Sequence, residues 1–241
     1  MEKDESLALD LLRGGGESVL RLYTWSPWSV SLGRHQVEGE IDRERCLADG
    51  IEIVRRPTGG RAILHAEELT YCVAMMANGQ SVLQVYNAIG VALLRGLRAY
   101  GVHVSLEKSQ PNFGTLYRQT SSASCFSSSA RYEIVLDKRK LVGSAQRRYG
   151  SGEGTVVLQH GSILCGSAHL RLAEYLRLPD EGTRQAIREN LKSRTANLGD
   201  VMGNRVDFDL LSRCVKEGFE REWGITFQEH SLVMEHGAVN A

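Results

Sequence analysis

The sequence has no run of apolar residues long enough to cross a bilayer, which argues against a membrane-spanning helix. It also has no excess of either charge. Its 29 lysines and arginines balance 29 aspartates and glutamates, so the composition points neither to nucleic acid nor to a membrane surface. Residues 1–5 carry too many charges for a secretory signal. We therefore expect a globular cytoplasmic protein with neither a nucleic-acid nor a membrane partner.

Cysteine spacing argues against two further classes, disulfide frameworks and zinc ribbons. The cysteines are scattered, odd in number and never in C-x-x-C spacing, which fits a reducing compartment. The five are Cys46, Cys72, Cys125, Cys165 and Cys214. His65 and His160 stand without a second histidine or a carboxylate at ligand spacing. We expect no metal and no cofactor.

The regular strand–helix alternation of a doubly wound fold is also missing. Alternating or β-branched runs predict strands, and apolar residues at three- and four-residue steps predict a helix over residues 82–100 that ends at Gly101. The predicted strands are residues 19–25, 29–32, 51–54, 62–65, 69–74, 102–106, 132–136, 140–143 and 156–163. The pattern favours an α+β fold, a mixed or antiparallel sheet flanked by helices. We expect one domain over residues 1–241, mainly helical from about residue 170.

A glycine-containing loop, residues 55–62 (Arg-Arg-Pro-Thr-Gly-Gly-Arg-Ala), is the strongest local signal. Paired glycines let backbone N–H groups approach an anion or an acyl carbonyl closely, and arginines add fork-shaped donors. The same residues also suit a β-hairpin whose glycines supply positive φ. Both interpretations stay open. His65 follows the loop. Taken alone, it and His160 each fit a satisfied polar strand residue better than a catalyst.

Cys125 and Lys140 form the second candidate pair. Cys125 lies in a serine-rich stretch, residues 121–129, where a buried structural cysteine would be unusual, whereas the other four cysteines fit packing roles. Lys140 follows fifteen positions later and, taken alone, also fits a solvated turn. A nearby ammonium favours the thiolate, and a thiolate can accept an acyl group. The pair is therefore either a reaction centre or two unrelated residues.

Residues 20–25 with 31–33, residues 55–65 and residues 140–146 (Lys-Leu-Val-Gly-Ser-Ala-Gln) follow each other in an order that resembles a known family. They are similar to the opening hairpin, the acyl-carrier loop and the invariant-lysine segment of the biotin/lipoate protein ligase catalytic family. The resemblance runs from about residue 8 to beyond Ser162. Within the family, residues 125–127, 132–135 and 157–163 most resemble the cysteine-dependent octanoyltransferases. The chain starts close to the first family helix, so we expect the family's N-terminal strand to be shortened or missing.

This resemblance implies octanoyl transfer in protein lipoylation. Cys125 and Lys140 would be catalytic: the cysteine would carry octanoyl as a thioester, and the lysine would favour its thiolate. The octanoyl donor would be octanoyl-acyl carrier protein. The acceptors would be lipoyl domains, those of the glycine-cleavage H protein and of 2-oxoacid dehydrogenase acyltransferase subunits. The implied substrate-binding residues are Arg56, Thr58, Gly59, Gly60, Arg61, Ala62, His65, Gly143, Ser144, Ala145, His160 and Gly161.

Three alternatives remain within the resemblance. Gln146-Arg147-Arg148 is similar to amidotransferases that move octanoyl from one lipoyl domain to another. An ATP-dependent lipoate ligase would instead activate free lipoate without using Cys125. A non-catalytic member would only bind acyl groups or lipoyl domains. Ala66 stands where the family commonly has an acidic residue after the motif histidine.

Overall fold

The computed structural model describes residues 1–107, 133–203 and 205–229. The strands are β1 (Val19–Tyr23), β2 (Ser29–Leu32), β3 (Glu52–Arg55), β4 (Ile63–His65), β5 (Glu68–Met76), β6 (Ser105–Glu107), β7 (Glu133–Leu136), β8 (Arg139–Tyr149) and β9 (Val156–Leu164). The α-helices are α1 (Glu2–Leu12), α2 (Arg43–Ala48), α3 (Val82–Ala99), α4 (Glu181–Arg194), α5 (Gly199–Met202) and α6 (Phe208–Trp223). Short 3-10 helices span Glu38–Glu40, Gly152–Gly154 and Ala168–Glu174.

Six strands form one antiparallel sheet in the order β1-β5-β9-β8-β7-β6. Because successive side chains of a strand point to opposite faces, this sheet has two cores. On one face, Tyr71 and Val73 pack with α3 and α6. On the other, Cys72 and Ala74 pack with α1. The α+β class, with helices flanking an antiparallel sheet, is confirmed.

The other three strands form a small mixed sheet in the order β3-β2-β4. β2 is parallel to β3 and antiparallel to β4, so the chain crosses over β2 between its third and fourth strands. The β-hairpin interpretation of residues 55–62 is therefore wrong. This sheet packs against the 3-10 helix Ala168–Glu174 and against α4, and their apolar side chains form a third core.

Helix α3 follows the sequence pattern closely. Ser81 and Gln84 form a reciprocal capping box at its start, and Gly101, at φ +100°, lies just beyond its end. Helix α3 packs against α6 at a crossing where two glycines allow close approach. A Cβ on Gly218 would lie 2.5 Å from the Gly96 nitrogen. Helix α6 buries an apolar stripe that includes Leu211, Val215 and Phe219.

Three local predictions need correction. Val102 and Val104 are buried but lie before β6, which begins only at Ser105. Strand β8 continues to Tyr149, six residues past its predicted end. Glu68, which precedes the predicted strand over residues 69–74, is a buried member of β5. Among the described residues, no helix is long and apolar enough to span a membrane.

Candidate active site

A cavity lies where the small sheet meets β8 and β9, with an empty volume of about 430 Å³ that includes space open to solvent. Its wall combines cationic and imidazole side chains, hydroxyls, aliphatic groups and glycine backbone. The lining residues are Met1, Arg56, Ile63, His65, Thr70, Lys140, Gly143, Ser144, Ala145, His160, Gly161 and Ser162. The fold thus brings eight of the residues singled out by sequence to one cavity. Cys125 lies outside the described residues.

Lys140 is a buried strand residue, which confirms the predicted strand over residues 140–143 and excludes the alternative of a solvated turn. The β7–β8 turn is made by Asp137 and Lys138, both at positive φ, and Lys140 follows on β8 with 7% exposure. The register shifts here, because Val135 pairs with Lys140 while Ile134 pairs with Val142. The extra residue is a bulge in β8, a device that re-aims side chains.

The ammonium of Lys140 contacts a carboxylate that sequence reasoning missed. Nζ lies 2.7 Å from Oε1 of Glu133, and the two side chains are only 8% and 10% exposed. Glu133 is two residues from Val135, the strand partner of Lys140, so both charged side chains lie on the same face of the sheet. A buried lysine thus has its counter-ion directly beside the cavity.

His65 has both ring nitrogens engaged by protein groups. Nδ1 lies 2.7 Å from Oε1 of Glu68, and Nε2 lies 2.7 Å from Oγ of Ser31. Glu68 Oε1 also accepts from the hydroxyls of Thr70 and Ser162, at 2.6 and 2.7 Å. Burial raises the pKa of Glu68, but His65 and the two hydroxyl donors outweigh it, so the net pKa lies below the usual value. The carboxylate therefore stays charged and holds the ring.

Trp25 covers the other side of this unit. Its indole ring stacks on His65 with centroids 4.2 Å apart, and its Nε1 donates to Thr70 Oγ1 at 2.8 Å. Trp25, Thr70, Glu68 and His65 thus close a ring of contacts. This arrangement fixes the imidazole as a rigid part of the cavity wall.

His160 is held in a parallel way. Thr58 Oγ1 lies 2.6 Å from its Nε2, and Asp4 Oδ2 lies 3.3 Å from its Nδ1. Asp4 is fully buried and also accepts from Arg21 and Tyr23, at 2.7 and 2.8 Å. Burial lowers the pKa of His160, against the Asp4 carboxylate that raises it, so the ring is neutral at pH 7. Both ring nitrogens of each cavity histidine thus have hydrogen-bond partners, and one partner of each ring is a buried carboxylate.

Within the glycine loop, Arg56 is a buried brace. Its guanidinium donates to Ser31 O and Oγ, both at 2.9 Å, and to the carbonyls of Gly59 and Arg61. A Cβ on Gly33 would lie 1.9 Å from the carbonyl oxygen of Gly60, so the loop packs backbone against backbone on the end of β2. Arg56 itself lies in the wall of the cavity.

The other residues singled out in this loop do not line the cavity. Thr58 lies behind the cavity wall and contacts it through the hydrogen bond between its hydroxyl and His160. Arg61 pairs with Glu40 at 3.3 Å, and Ala62 is fully buried in the core of the small sheet. Gly59 is exposed and Gly60 adopts φ +98°. Their contribution is the shape of the loop.

Gly161 and Ser144 are paired residues of β9 and β8, and Tyr71 of β5 pairs with Gly161 on its other side. The Tyr71 hydroxyl donates to Ser144 Oγ at 2.7 Å across this glycine. A Cβ on Gly161 would lie 2.7 Å from Tyr71 Cε1 and 3.0 Å from Ser144 Oγ. Because Gly161 has no side chain, the hydrogen bond between Tyr71 of β5 and Ser144 of β8 can form across β9.

The four described cysteines are buried, as their sequence settings predicted. Burial raises the pKa of Cys165 to about 12 and that of Cys46 to about 11, and it also raises the pKa values of Cys72 and Cys214. These thiols stay protonated at neutral pH. No group of three His, Cys, Asp or Glu side chains with metal-ligand geometry occurs within the described ranges.

Comparison with known proteins gives concordant matches. Residues 1–220 match the family described as lipoyl protein ligase A/B catalytic domain. The chain is 36% identical to octanoyltransferase LipM of Kyrpidia tusciae, covering 98% of this chain and 86% of that protein. It is 33% identical to octanoyltransferase LipM of Bacillus subtilis, covering 90% and 79%.

Solved structures agree on the fold. The bipartite lipoate protein ligase of Thermoplasma acidophilum superposes with a TM-score of 0.73 at 23% identity, covering 97% of this chain and 84% of that one. A lipoate-protein ligase A bound with ATP gives 0.68 at 23% identity, covering 96% and 85%. At this identity the likeness concerns the fold alone.

Proposed function

The chain belongs to the lipoyl protein ligase A/B catalytic domain family, and we propose that it is an octanoyltransferase of protein lipoylation that carries the octanoyl group on Cys125. Its similarity to the octanoyltransferases extends over nearly the whole length of the chain. The observation that carries the proposal is the buried Lys140 in the wall of the cavity. Burying a charged lysine is costly, so its position beside a cavity favours a chemical role.

Cys125 is the nucleophile in this proposal. The four described cysteines are buried with raised pKa values and suit packing, whereas Cys125 precedes Glu133 by only eight positions along the chain. A cationic neighbour favours the thiolate, and Lys140 would be that neighbour. The thiolate is the form that attacks a thioester.

The reaction then has two balanced steps. In the first, the Cys125 thiolate attacks the octanoyl thioester carbonyl; the carrier sulfur leaves with the electron pair of its bond and takes a proton from the Lys140 ammonium. In the second, a neutral lysine amine of the acceptor attacks the octanoyl-cysteine. Its excess proton passes to the Lys140 amine, and Cys125 leaves as a thiolate. Each turnover restores both groups.

The cavity supplies binding and charge stabilisation. Aliphatic groups of Met1, Ile63 and Ala145 suit an acyl chain. The backbone of residues 143–145 is the candidate oxyanion hole, where one donor is worth roughly 3–4 kcal/mol of barrier. Strand N–H groups point alternately to the two neighbouring strands, so only those not directed at β9 could serve. His65 and His160 contribute fixed walls, because their ring nitrogens are already engaged.

The proposed donor is octanoyl-acyl carrier protein, and the proposed acceptors are lipoyl-domain proteins such as the glycine-cleavage H protein. Lipoyl domains are the acceptor class that fits the octanoyltransferases to which this chain is similar. The acceptor lysine must reach the cavity, so we expect the lipoyl domain to dock at its open side.

Intact-mass measurement tests this function. Incubation with octanoyl-acyl carrier protein should add one octanoyl group to the wild-type protein and none to Cys125→Ser, with Cys214→Ser as the matched control that still accepts it. Addition of an unmodified lipoyl domain should then move the group to that domain. A wild-type protein that stays unmodified with this donor contradicts the carrier donor. An octanoylated H protein offered instead tests the amidotransferase alternative, and AMP release from lipoate and ATP with Cys125→Ser still active would establish a ligase.

A further inference from the structure

Lys140 lies outside the ladder of pairs that joins β8 to β9. That ladder begins only at the pair of Val142 and Ile163. On its other side, Lys140 pairs with Val135 at the bulge, where β8 has one residue more than β7. A bulge leaves part of the backbone without its regular ladder bonds. The backbone of this lysine therefore needs support from outside the two neighbouring strands.

Residues 195–198, which follow α4, supply this support. Thr195 forms a parallel bridge with Lys140, and the N–H of Ala196 donates to the Lys140 carbonyl at 3.0 Å. The N–H of Leu198 then donates, at 2.9 Å, to the carbonyl of the last residue of β9. The 195–198 segment thus occupies the place beside Lys140 that β9 does not reach.

The hydroxyl of Thr195 anchors the start of this segment. Thr195 is only 3% exposed; its N–H donates to the Leu191 carbonyl at 2.9 Å, and its Oγ1 lies 2.8 Å from the same oxygen. Oγ1 also lies 2.8 Å from Nε2 of His169, whose Nδ1 lies 3.1 Å from the carbonyl oxygen of Gly166. A carbonyl only accepts, so Nδ1 carries the proton of the neutral ring and Nε2 is an acceptor. The hydroxyl proton of Thr195 thus has an acceptor on either side.

We propose that Thr195 is a positioning residue that acts through Lys140: its buried hydroxyl holds the 195–198 segment against the bulge, and the segment keeps the lysine side chain aimed at the cavity. The expected effect on catalysis rests on the proposed function, in which Lys140 transfers protons. A misplacement of about 1 Å in a reacting group can cost on the order of a hundredfold in rate. A loosened segment should therefore slow the reaction without weakening the binding of the donor.

Two substitutions separate the hydroxyl of Thr195 from the bulk of its side chain. Thr195→Val has nearly the same shape but leaves the buried Nε2 of His169 without its donor. Thr195→Ser keeps the hydroxyl and loses only a methyl group. Tyr100→Phe is the matched control, because it also removes one hydroxyl from a buried side chain, the acceptor of the Asp207 N–H, and Tyr100 does not line the cavity.

Steady-state octanoyl transfer from octanoyl-acyl carrier protein to a lipoyl domain gives the first readout. In Thr195→Val we expect kcat to fall about 10–100-fold with an unchanged KM for the donor, while Thr195→Ser and Tyr100→Phe stay near the wild type. The Lys140→Met background decides whether the effect passes through the lysine, because there Thr195→Val should slow the residual reaction no further. Losses that multiply in the double variant would show that Thr195 acts independently of Lys140, and the proposal would be wrong.

A second readout needs no octanoyl transfer. The Lys140 side chain is only 8% exposed, so its rate of acetylation by acetic anhydride at pH 8, followed by peptide mass spectrometry, reports how often it becomes accessible. In Thr195→Val this rate should rise about 2–10-fold, the factor that corresponds to one lost hydrogen bond. It should not change in Thr195→Ser or Tyr100→Phe, and the exposed Lys138 is the internal reference. If the wild type transfers no octanoyl group, the proposed function fails while this rate still tests Thr195. An unchanged rate in Thr195→Val overturns the proposal.

Thermal unfolding establishes that each variant is folded at the assay temperature. Should Thr195→Val unfold, Ala196→Pro takes its place, because it deletes the N–H that bonds the Lys140 carbonyl. The extended backbone of Thr195, at φ −112° and ψ 151°, suits a following proline. The same fall in kcat and the same rise in labelling are expected. Unfolding of both variants would mean that the whole fold depends on the 195–198 segment, which contradicts a role confined to Lys140.

Discussion

The two cavity histidines share one arrangement at the level of single residues: a hydroxyl at Nε2 and a carboxylate at Nδ1. A carboxylate can only accept, so in the neutral ring Nδ1 carries the proton and Nε2 accepts from the hydroxyl. Neither imidazole then has a nitrogen left for a substrate proton. Because Glu68 and Asp4 engage Nδ1 of the two histidines, proton transfer in the proposed reaction is assigned to Lys140.

Asp4 should make stability depend on pH in a defined window. Burial raises its pKa, but the hydrogen bond with His160 and the positive charges of the N-terminus and Arg21 lower it to about 2, from 3.8 in an unfolded chain. Because the folded pKa is depressed, this stabilisation is complete above pH 3.8 and is lost as the pH falls towards 2. The shift corresponds to about 2 kcal/mol.

Asp4→Asn should therefore lower the free energy of unfolding at pH 7 by at least about 2 kcal/mol, since it also leaves Arg21 with a weaker partner. Urea unfolding of both proteins between pH 7 and pH 2.5 measures the difference, which should shrink below pH 4. Asp10→Asn, on the exposed side of α1, is the control and should unfold like the wild type. A gap that stays constant with pH would contradict the role of the Asp4 charge.

At the level of elements, the strands β5, β9 and β8 meet closely at Gly161. A Cβ there would lie 2.3 Å from the Gly143 carbonyl oxygen, and backbone cannot move aside as a flexible side chain can. Gly161→Ala should therefore force the strands apart beside the cavity and cost about 1–3 kcal/mol. Thermal unfolding checks this, with Gly59→Ala as the control because nothing lies within 4 Å of its added Cβ. Equal melting temperatures would contradict the close approach.

Elements with strong local periodicity were predictable from sequence, and contacts between distant elements were not. Helix α3 has its capping box, its apolar stripe and its terminal glycine within one stretch of chain, so its bounds followed from the pattern. The order β3-β2-β4 depends on pairing between strands, which a local run such as residues 55–62 does not encode. The bulge that buries Lys140 likewise exists only between two strands.

The candidate site extends this lesson to the whole molecule. Asp4 and His160 are 156 positions apart and Thr58 and His160 are 102 apart, so no spacing rule links them. The apolar pattern of the predicted strand excludes Glu68, because a charged side chain rarely lies in a core. Its donors on three different residues explain its burial. Family resemblance found residues of the cavity wall, whereas the carboxylates that hold them needed the fold.

An acyl chain held in the cavity should stabilise the whole protein in proportion to its length. Each buried methylene contributes about 0.8 kcal/mol. An octanoyl chain on Cys125 should therefore stabilise the folded protein by up to about 3 kcal/mol more than a butanoyl chain. The difference should fall below this limit because the cavity is partly open. At about 2–4 °C per kcal/mol for a chain of this size, the octanoyl-enzyme should melt several degrees above the butanoyl-enzyme.

Thermal unfolding of the two trapped acyl-enzymes measures this difference, with Cys125→Ser treated identically as the control that should not shift. Ile63→Asn, which places an amide on the cavity wall, should reduce the octanoyl advantage while leaving the butanoyl-enzyme less affected. The melting temperature of unacylated Ile63→Asn shows how much stability the substitution removes without an acyl chain. Equal melting temperatures for the octanoyl- and butanoyl-enzymes would mean that the chain lies outside the cavity, and the assignment of this cavity as the acyl site would then be wrong.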